Sequence, residues 1–254
     1  MNAGDSRSAA VVDEVLRSRR TVRAFEADEV PIETVRDLLD VARHAPSTFN
    51  TQPWHVHVLL GDAKRELSAA LARAHEAATA STHAAIPHAA PQEVRERQRD
   101  FFARYSATIG IDPNDATARH RQTARNYAFF DAPVGLVFTL DSSLTHHSWL
   151  DLGLFIQNFM LAAHARGLAT IAQVSFVRYE SVIRAVLGLP DGEAVACGMS
   201  MGAPDRSSDL NRMSMPREPI SSFVTWYGAG GSGNRPSGAP DVGGEPERPD
   251  HPTP

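Results

Sequence analysis

One apolar helix constrains the fold of this chain more than any other feature. Residues 148–166, SWLDLGLFIQNFMLAAHAR, predict a helix that is apolar nearly all round and ends at Gly167. Such a helix must be covered by protein on most of its sides. One chain of 254 residues would hardly cover all of them, so we expect this helix to form much of the core of a homodimer.

Composition and charge exclude several classes of protein. The apolar helix is too short for a membrane span and is interrupted by Asp151, Gln157 and Asn158. The polar N-terminus lacks the apolar stretch of a signal peptide. A net charge of -5 argues against general nucleic-acid binding, and Cys197, the single cysteine, predicts a small buried hydrophobe rather than a disulfide. We therefore expect a cytoplasmic protein with no nucleic-acid or membrane partner.

Hydrophobic periodicity predicts an α+β chain. Predicted helices cover residues 8–18, 31–45, 62–80, 92–105, 148–166 and 181–188. Predicted strands cover residues 54–60, 134–140, 195–202 and 223–227. The chain shows no internal repeat or obvious linker, so we expect one domain over 1–228. The Gly- and Pro-rich remainder, 229–254, predicts a disordered tail because it holds too little apolar surface to offset its ordering entropy.

A glycine pattern at the start of this tail imitates a dinucleotide-binding loop. Gly228, Gly230 and Gly233 match G-x-G-x-x-G after a strand-like run. That loop works only if a helix follows it and receives the pyrophosphate at its N-terminus. The Pro-rich sequence that follows cannot form this helix, so we interpret the glycines as linker.

Two polar segments are the clearest candidates for chemistry. RSRRTVRAF, residues 17–25, is strongly basic, and HAPSTFNTQPWHV, residues 44–56, is rich in hydrogen-bonding side chains. A helix end whose dipole favours cations explains Arg17, and a capped, solvated loop is an equally good interpretation of the second segment. Neither explains Thr21 and Arg23, which lie beyond the helix in an extended stretch, whereas guanidinium groups that pair with a phosphate do.

These two segments resemble the nitroreductase family of FMN-dependent oxidoreductases. RRTVRAF matches the family pattern R-R-S-[VI]-R-x-[FY], and APSTFNTQPW matches [AS]-P-[ST]-x-x-N-x-Q-P-W. The long apolar helix, AQVSF at 172–176, SMGAPD at 200–205 and MSMPREP at 213–219 are similar to later family segments. The resemblance covers about 11–227 and implies a central, mainly antiparallel sheet surrounded by helices in an intertwined homodimer. Met215 and Val174-Ser175 depart from the family pattern, which has a lysine in some members and acidic-glycine in many.

The resemblance also implies a set of FMN-binding residues and no catalytic side chain. Arg19, Arg20 and Thr21 match the first FMN triplet, Arg23 the position beside the flavin pyrimidine, and Arg217 a phosphate-binding arginine. A loop contributed by the partner subunit is matched by Pro46, Ser47, Thr48, Asn50 and Gln52. A pyrimidine contact is matched, in a loose alignment, by Asn126. The segment over the flavin N5 edge is matched by Ala172, Gln173, Val174 and Ser175.

The implied activity is an FMN-dependent oxidoreductase with ping-pong kinetics. Hydride would pass from NAD(P)H through flavin N5 to a nitroaromatic or quinone-like acceptor. A flavin reductase, a dehalogenase or a flavin-linked oxidase of the same fold stays an alternative, as does an FMN carrier without turnover. The sequence distinguishes neither NADH from NADPH nor the physiological acceptor.

Two further patterns leave alternatives open. His55 and His57 share a strand face but lack further ligands at suitable spacing, so we expect no metal site. The helix VRERQRDFFARY, residues 94–105, fits a solvated amphipathic helix better than a lid over the flavin that contacts NAD(P)H phosphates or an aromatic substrate.

Overall fold

The structure, a computed structural model, describes residues 3–78 and 89–227. Its contacts divide the chain into two units, Met1–Ser214 and Met215–Pro254. The glycine pattern at 228–233 and the tail at 229–254 lie outside the described residues, so the linker and the disordered tail stay predictions, as does the domain boundary at 228.

Helices and strands of the first unit follow the predicted order. The helices are α1 (Ala3–Ser18), α2 (Ile32–Ala42), α3 (Gly61–Ala77), α4 (Gln92–Ile109), α5 (Ala116–Ala124), α6 (His146–His164), α7 (Glu180–Leu187) and α8 (Asp209–Arg212). The strands are β1 (His55–Leu59), β2 (Val134–Asp141), β3 (Ala169–Gln173) and β4 (Glu193–Gly202). Short 3-10 turns cover Thr48–Asn50, Phe129–Asp131 and Val174–Tyr179.

The four strands form one antiparallel sheet in the order β1-β2-β4-β3. The two central strands, β2 and β4, are almost entirely buried, as a continuous apolar run predicts. This confirms the predicted α+β class and the antiparallel sheet.

Helices cover both faces of the sheet, because side chains alternate along each strand. Leu136 and Phe138 of β2 belong to an apolar cluster with α2 and α6, whereas Val137 between them belongs to a second cluster with α3 and α7. Cys197 of β4 lies in the first cluster, and burial raises the pKa of its thiol to about 12. The prediction of a buried cysteine is confirmed.

The apolar helix α6 is only partly covered within one chain. Its inner face packs on the sheet and on α2, with Phe155 stacked on Trp54 at a centroid distance of 4.8 Å. On the opposite face, Trp149, Leu150 and Leu154 remain 44%, 66% and 39% exposed. The face of α6 that we expected a second chain to cover is therefore the one with these three exposed side chains.

Four elements differ from the predictions. No sequence pattern predicted β3, α5 or α8; α5 has no buried residue, so it carries no apolar periodicity. The predicted strand at 223–227 is wrong. Phe223 and Val224 instead donate main-chain hydrogen bonds to Ile220 O after a 3-10 turn at Ile220–Ser222, and Trp226 is 67% exposed. Alternation alone cannot make a strand where main-chain groups are bonded locally.

The two histidines of β1 contact a buried carboxylate rather than a metal. His57 Nε2 lies 2.7 Å and His55 Nδ1 3.7 Å from Glu193 Oε1, which Thr139 Oγ1 also contacts. Burial alone would raise the pKa of Glu193, but the hydrogen bonds from Thr139 and His57 and the charges of both histidines lower it. Within 3–78 and 89–227, no group of three or more His, Cys, Asp or Glu side chains is arranged to hold a metal, and no helix there is long and apolar enough to cross a bilayer.

Candidate functional site

The basic segment after α1 runs as an extended strand-like ribbon along the sheet, as predicted. Thr21 pairs with Thr170 of β3 in a parallel bridge, and Phe25 pairs with Pro204 after β4. Asn211 of α8 holds the stretch between them: its Oδ1 accepts from Arg23 N at 2.8 Å, and its Nδ2 donates to Ala24 O at 2.7 Å. Because main-chain bonds fix the segment, the alternating side chains have defined directions.

From this ribbon, the side chain of Arg23 packs against helix α4. Its guanidinium carbon lies 5.4 Å from the ring centroid of Phe101 and 5.3 Å from that of Tyr105. Burial lowers the pKa of Arg23, and the charge of Tyr105 opposes this shift. An arginine keeps its proton at neutral pH even so, which makes Arg23 a fixed, partly desolvated cation.

A cavity of about 710 Å³ opens beside Arg23. Helix α4 contributes Phe101, Phe102 and Tyr105 to it, so this helix is more than a solvated surface element. Six of the predicted FMN-binding residues line the cavity: Arg23, Asn126, Ala172, Gln173, Val174 and Ser175. They come from three separate parts of the sequence, and its volume lies within the range of small-molecule sites.

The segment Ala172–Ser175 is placed by a close contact with the central sheet. Phe176 is fully buried, and a β-carbon at Gly198 of β4 would lie only 2.7 Å from the Phe176 ring. Only glycine leaves room for the ring there. Phe176 therefore fixes the 3-10 turn Val174–Tyr179 on the sheet, where Ser175 is part of the cavity wall although its Oγ is buried.

Gln173 lines the cavity, but its side-chain amide bonds to the protein itself. Its Nε2 donates to Asn126 O at 2.6 Å, and its Oε1 accepts from Ser200 Oγ at 2.8 Å. The side chain is thus committed inside the protein and ties Asn126 to β3 and β4. Any contact of Gln173 with a cofactor falls to its main chain.

A buried aromatic and histidine cluster supports the far side of the cavity. His75 Nε2 lies 3.0 Å from His120 O and its Nδ1 3.0 Å from Tyr179 Oη. Since a carbonyl only accepts, Nε2 carries the proton and Nδ1 accepts from Tyr179. Burial lowers the pKa of His75, and raises that of neighbouring Tyr127 to about 12. Both groups are therefore neutral at physiological pH. No sequence pattern indicated His75, which lies on an otherwise ordinary alanine-rich helix.

Comparison with known proteins agrees with this arrangement. A model of the nitroreductase family matches residues 16–203. The chain is 44% identical to a 4-nitrobenzoate reductase of Pseudomonas putida over 216 residues, which are 85% of this chain and 95% of that protein. It is 39% identical to a nitrobenzene nitroreductase of Ectopseudomonas oleovorans over 219 residues, 85% and 96% of the two chains. The chain belongs to the nitroreductase family.

A solved structure of the family has closely similar architecture. The FMN-dependent nitroreductase NfnB of Mycobacterium smegmatis, in complex with NADPH, superposes with a TM-score of 0.80 at 31% sequence identity. The match covers 86% of this chain and 99% of that chain. The fold and the family that the sequence motifs implied are thereby confirmed.

The remaining motif residues of the first unit of this nitroreductase are not among those that line the cavity. Arg19 and Arg20 directly follow α1. Burial lowers the pKa of His164 on α6, and the positive charges of these two arginines lower it further. His164 Nε2 lies 2.7 Å from Ser18 Oγ, whose own proton goes to Glu14 O. Arg217 belongs to the second unit, where its Nη1 contacts Met215 O and Pro216 O. Its predicted role stays a prediction.

The family loop at 46–52 is backbone-strained and projects an apolar side chain. Phe49, Asn50 and Gln52 all have left-handed φ values of 52°, 58° and 47°, each costing about 1–3 kcal/mol unless the surroundings compensate. The Phe49 side chain is 97% exposed. The loop, which includes Pro46, does not line the cavity of its own chain.

Asp151 of α6, which the sequence indicated only as an interruption of an apolar run, anchors this loop. Its Oδ2 accepts from Thr48 N at 3.0 Å and its Oδ1 from Thr48 Oγ1 at 3.4 Å, and it is 4% exposed. Ser47 Oγ accepts from Gln52 N at 3.0 Å and closes the turn. A buried carboxylate thus offsets part of the strain.

We expect Asp151→Asn to loosen the loop. The amide can still accept from Thr48 N and pair with Thr48 Oγ1, but it lacks the negative charge that strengthens both hydrogen bonds, which costs about 1–3 kcal/mol of stability. Hydrogen exchange of the main-chain amides at 47–52 measures the effect, with Asp37→Asn on the exposed face of α2 as the control. Unchanged protection of these amides in Asp151→Asn would show that the carboxylate does not hold the loop.

Proposed function

We propose that this chain is an FMN-dependent oxidoreductase that uses NAD(P)H to reduce nitroaromatic compounds. The observation that carries the proposal is the 710 Å³ cavity around which Arg23, Asn126 and the segment 172–175 converge. Its lining combines a fixed cation, hydrogen-bonding groups and aromatic faces. The relatives of the chain, a 4-nitrobenzoate reductase and a nitrobenzene nitroreductase, support the same activity.

The chemistry of these groups fits FMN. The cofactor has a flat ring system with a polar edge and a dianionic phosphate, so it needs an apolar slot, hydrogen-bonding groups and forked cations. Arg23, the side chain of Asn126 and the main chain of 172–175 would serve the ring. Arg19, Arg20 and Thr21 would serve the phosphate, together with Arg217. Burial and the charges of Arg19 and Arg20 lower the pKa of His164, so it stays neutral and adds no further positive charge beside them.

When bound, FMN supplies two-electron redox chemistry that no side chain of this protein provides. The residues of the chain bind and orient the reactants. Arg23 places positive charge at the cavity, which favours the more negative reduced state, and Phe101, Phe102 and Tyr105 exclude water. Overall, NAD(P)H and one proton convert a nitro group into a nitroso group, water and NAD(P)+. One cavity can serve both reactants if the nicotinamide leaves before the acceptor enters, which gives ping-pong kinetics.

We propose that the chain acts as a homodimer. The uncovered face of α6 and the neighbouring face of α1 together expose six large apolar side chains: Val11, Val12 and Leu16 of α1, and Trp149, Leu150 and Leu154 of α6. An apolar surface of this kind on a soluble protein is typical of a subunit interface. The exposed Phe49 and the loop 46–52 would then reach the partner's cofactor site.

Redox spectroscopy of the purified protein tests the activity. We expect a yellow protein whose visible absorbance is bleached by NADPH or NADH without oxygen and returns when nitrobenzene is added. A yellow protein that both nucleotides leave oxidised would favour an FMN carrier. Oxidation of NAD(P)H only in the presence of added free flavin would rule out the nitroreductase proposal in favour of a flavin reductase.

Sedimentation equilibrium tests the dimer. The wild-type protein should have twice the mass of one chain, and Leu150→Glu should shift it toward the monomer because a carboxylate would be buried in an apolar interface. Ala69→Glu, on the exposed side of α3, is the matched control and should leave the mass unchanged. A wild-type monomer would contradict this part of the proposal.

Two arginine variants separate binding of the cofactor from its redox tuning. Arg19→Ala should weaken FMN binding about 10-fold or more, because a charge-assisted hydrogen bond contributes about 1.5–3 kcal/mol. Arg23→Ala should mainly lower the midpoint potential, by about 30 mV for each tenfold loss of preference for the reduced state. FMN titration and equilibrium redox dyes measure the two effects. Arg65→Ala on the exposed side of α3 controls for loss of charge, and wild-type values in both variants would refute the assignment.

A further inference from the structure

The cavity carries positive charge that no carboxylate in its wall balances. Its lining includes three arginines, Arg23, Arg119 and Arg178, and no Asp or Glu from the described part of the chain. Arg23 belongs to the site described above. Arg119 is exposed on α5 at the cavity rim, so the cation with a role still to be assigned inside the cavity is Arg178.

Arg178 and Ser175 share one face of the 3-10 turn Val174–Tyr179. Residues three apart are eclipsed in such a turn, and both line the cavity whereas Phe176 and Val177 do not. One turn rises by roughly 6 Å, a length similar to that of a para-substituted benzene ring. Arg178 therefore lies one turn beyond the residue that matches the reactive edge of the site.

The neighbours of Arg178 leave its charge available to a ligand. Its guanidinium carbon lies 5.3 Å from the Tyr179 ring centroid, and it forms no ion pair with a carboxylate in residues 3–78 or 89–227. The nearest acid in sequence, Glu180, instead contacts Arg184 Nη2 at 3.1 Å and Val195 N at 3.2 Å.

His75 and Tyr127, which face Arg178, are neutral. Burial lowers the pKa of His75, and the positive charge of Arg178 adds to this shift, whereas the same charge only opposes the rise in the pKa of Tyr127 that burial causes. Both His75 nitrogens are engaged by Tyr179 and by the His120 carbonyl. The inner end of the cavity thus has one half-buried cation among neutral polar and aromatic groups.

We propose that Arg178 binds the carboxylate of an aromatic acid, so that the preferred acceptors are nitroarenes bearing a carboxylate opposite the nitro group. A guanidinium fork matches a carboxylate in two parallel hydrogen bonds. Phe101, Phe102 and Tyr105 offer faces to the ring that joins the two substituents. This inference rests on the proposed nitroaromatic reductase activity and names its substrate class.

A nicotinamide dinucleotide is the competing anionic ligand for this arginine. Its phosphates are larger and more strongly hydrated than a carboxylate and suit the solvent-exposed rim, where Arg119 lies. Arg178 is half-buried beside the packed rings of His75, Tyr127 and Tyr179, a less hydrated setting than the rim and one better suited to a weakly hydrated monoanion than to a diphosphate. The position therefore favours the aromatic acid.

Steady-state kinetics of the holoenzyme test the proposal with a charged and a neutral acceptor. For Arg178→Gln we expect the KM for 4-nitrobenzoate to rise about tenfold or more, while kcat/KM for nitrobenzene stays within about threefold of wild type. Arg178→Lys should restore part of the affinity, because an ammonium keeps the charge but not the fork. Arg65→Gln removes an exposed charge outside the cavity and should change neither value.

A binding measurement without turnover accompanies the kinetics. Calorimetry of oxidised holoenzyme should give tighter binding of benzoate than of benzamide for wild type, and equal binding for Arg178→Gln. A preference for benzoate that survives in Arg178→Gln, or a rise in the KM for NAD(P)H alone, would overturn the assignment. Wild-type turnover of nitrobenzene without any preference for 4-nitrobenzoate would refute only this inference, whereas reduction of neither compound would refute the proposed function itself.

Discussion

The packing of Phe176 on Gly198 is the contact on which the rest of the site depends. The sheet can accept the ring only where β4 has no side chain, and this pins the 3-10 turn after β3 to the middle of the sheet. From this one point the chain directs Ser175 and Arg178 to the cavity and Tyr179 to His75. This part of the cavity wall is therefore anchored directly to the central strands, which suits a site that must hold flat rings in register.

The second organising constraint is electrostatic. Three guanidinium groups surround a cavity with no carboxylate in its described wall, and burial already lowers the pKa of one of them. A protein selected for stability alone would pair these charges internally. Because these arginines have no carboxylate partner among the described residues, they can bind anions strongly, but the protein without a bound anion is less stable.

Sequence patterns predicted three of the four strands and the main helices, because each has a local signal. The apolar strands and the periodicity of α6 indicate burial directly, and RRTVRAF combines helix-end charge with an extended stretch. The interactions that assemble the site are not local. Asn211 holds the main chain at Arg23 from 188 positions away, and Asp151 holds Thr48 from 103 positions away. The predicted strand at 223–227 was wrong for the same reason, since a strand depends on a neighbour that periodicity does not reveal.

The strained loop at 47–52 has a consequence for how the protein behaves at different concentrations. Its three left-handed residues and its exposed phenylalanine are held in place before any partner arrives. If this loop completes the cofactor site of a second copy, as we propose, association and cofactor binding are linked equilibria, and each raises the affinity of the other. Dilution then releases the flavin as well as separating the subunits, so the amount of bound cofactor reports the state of assembly.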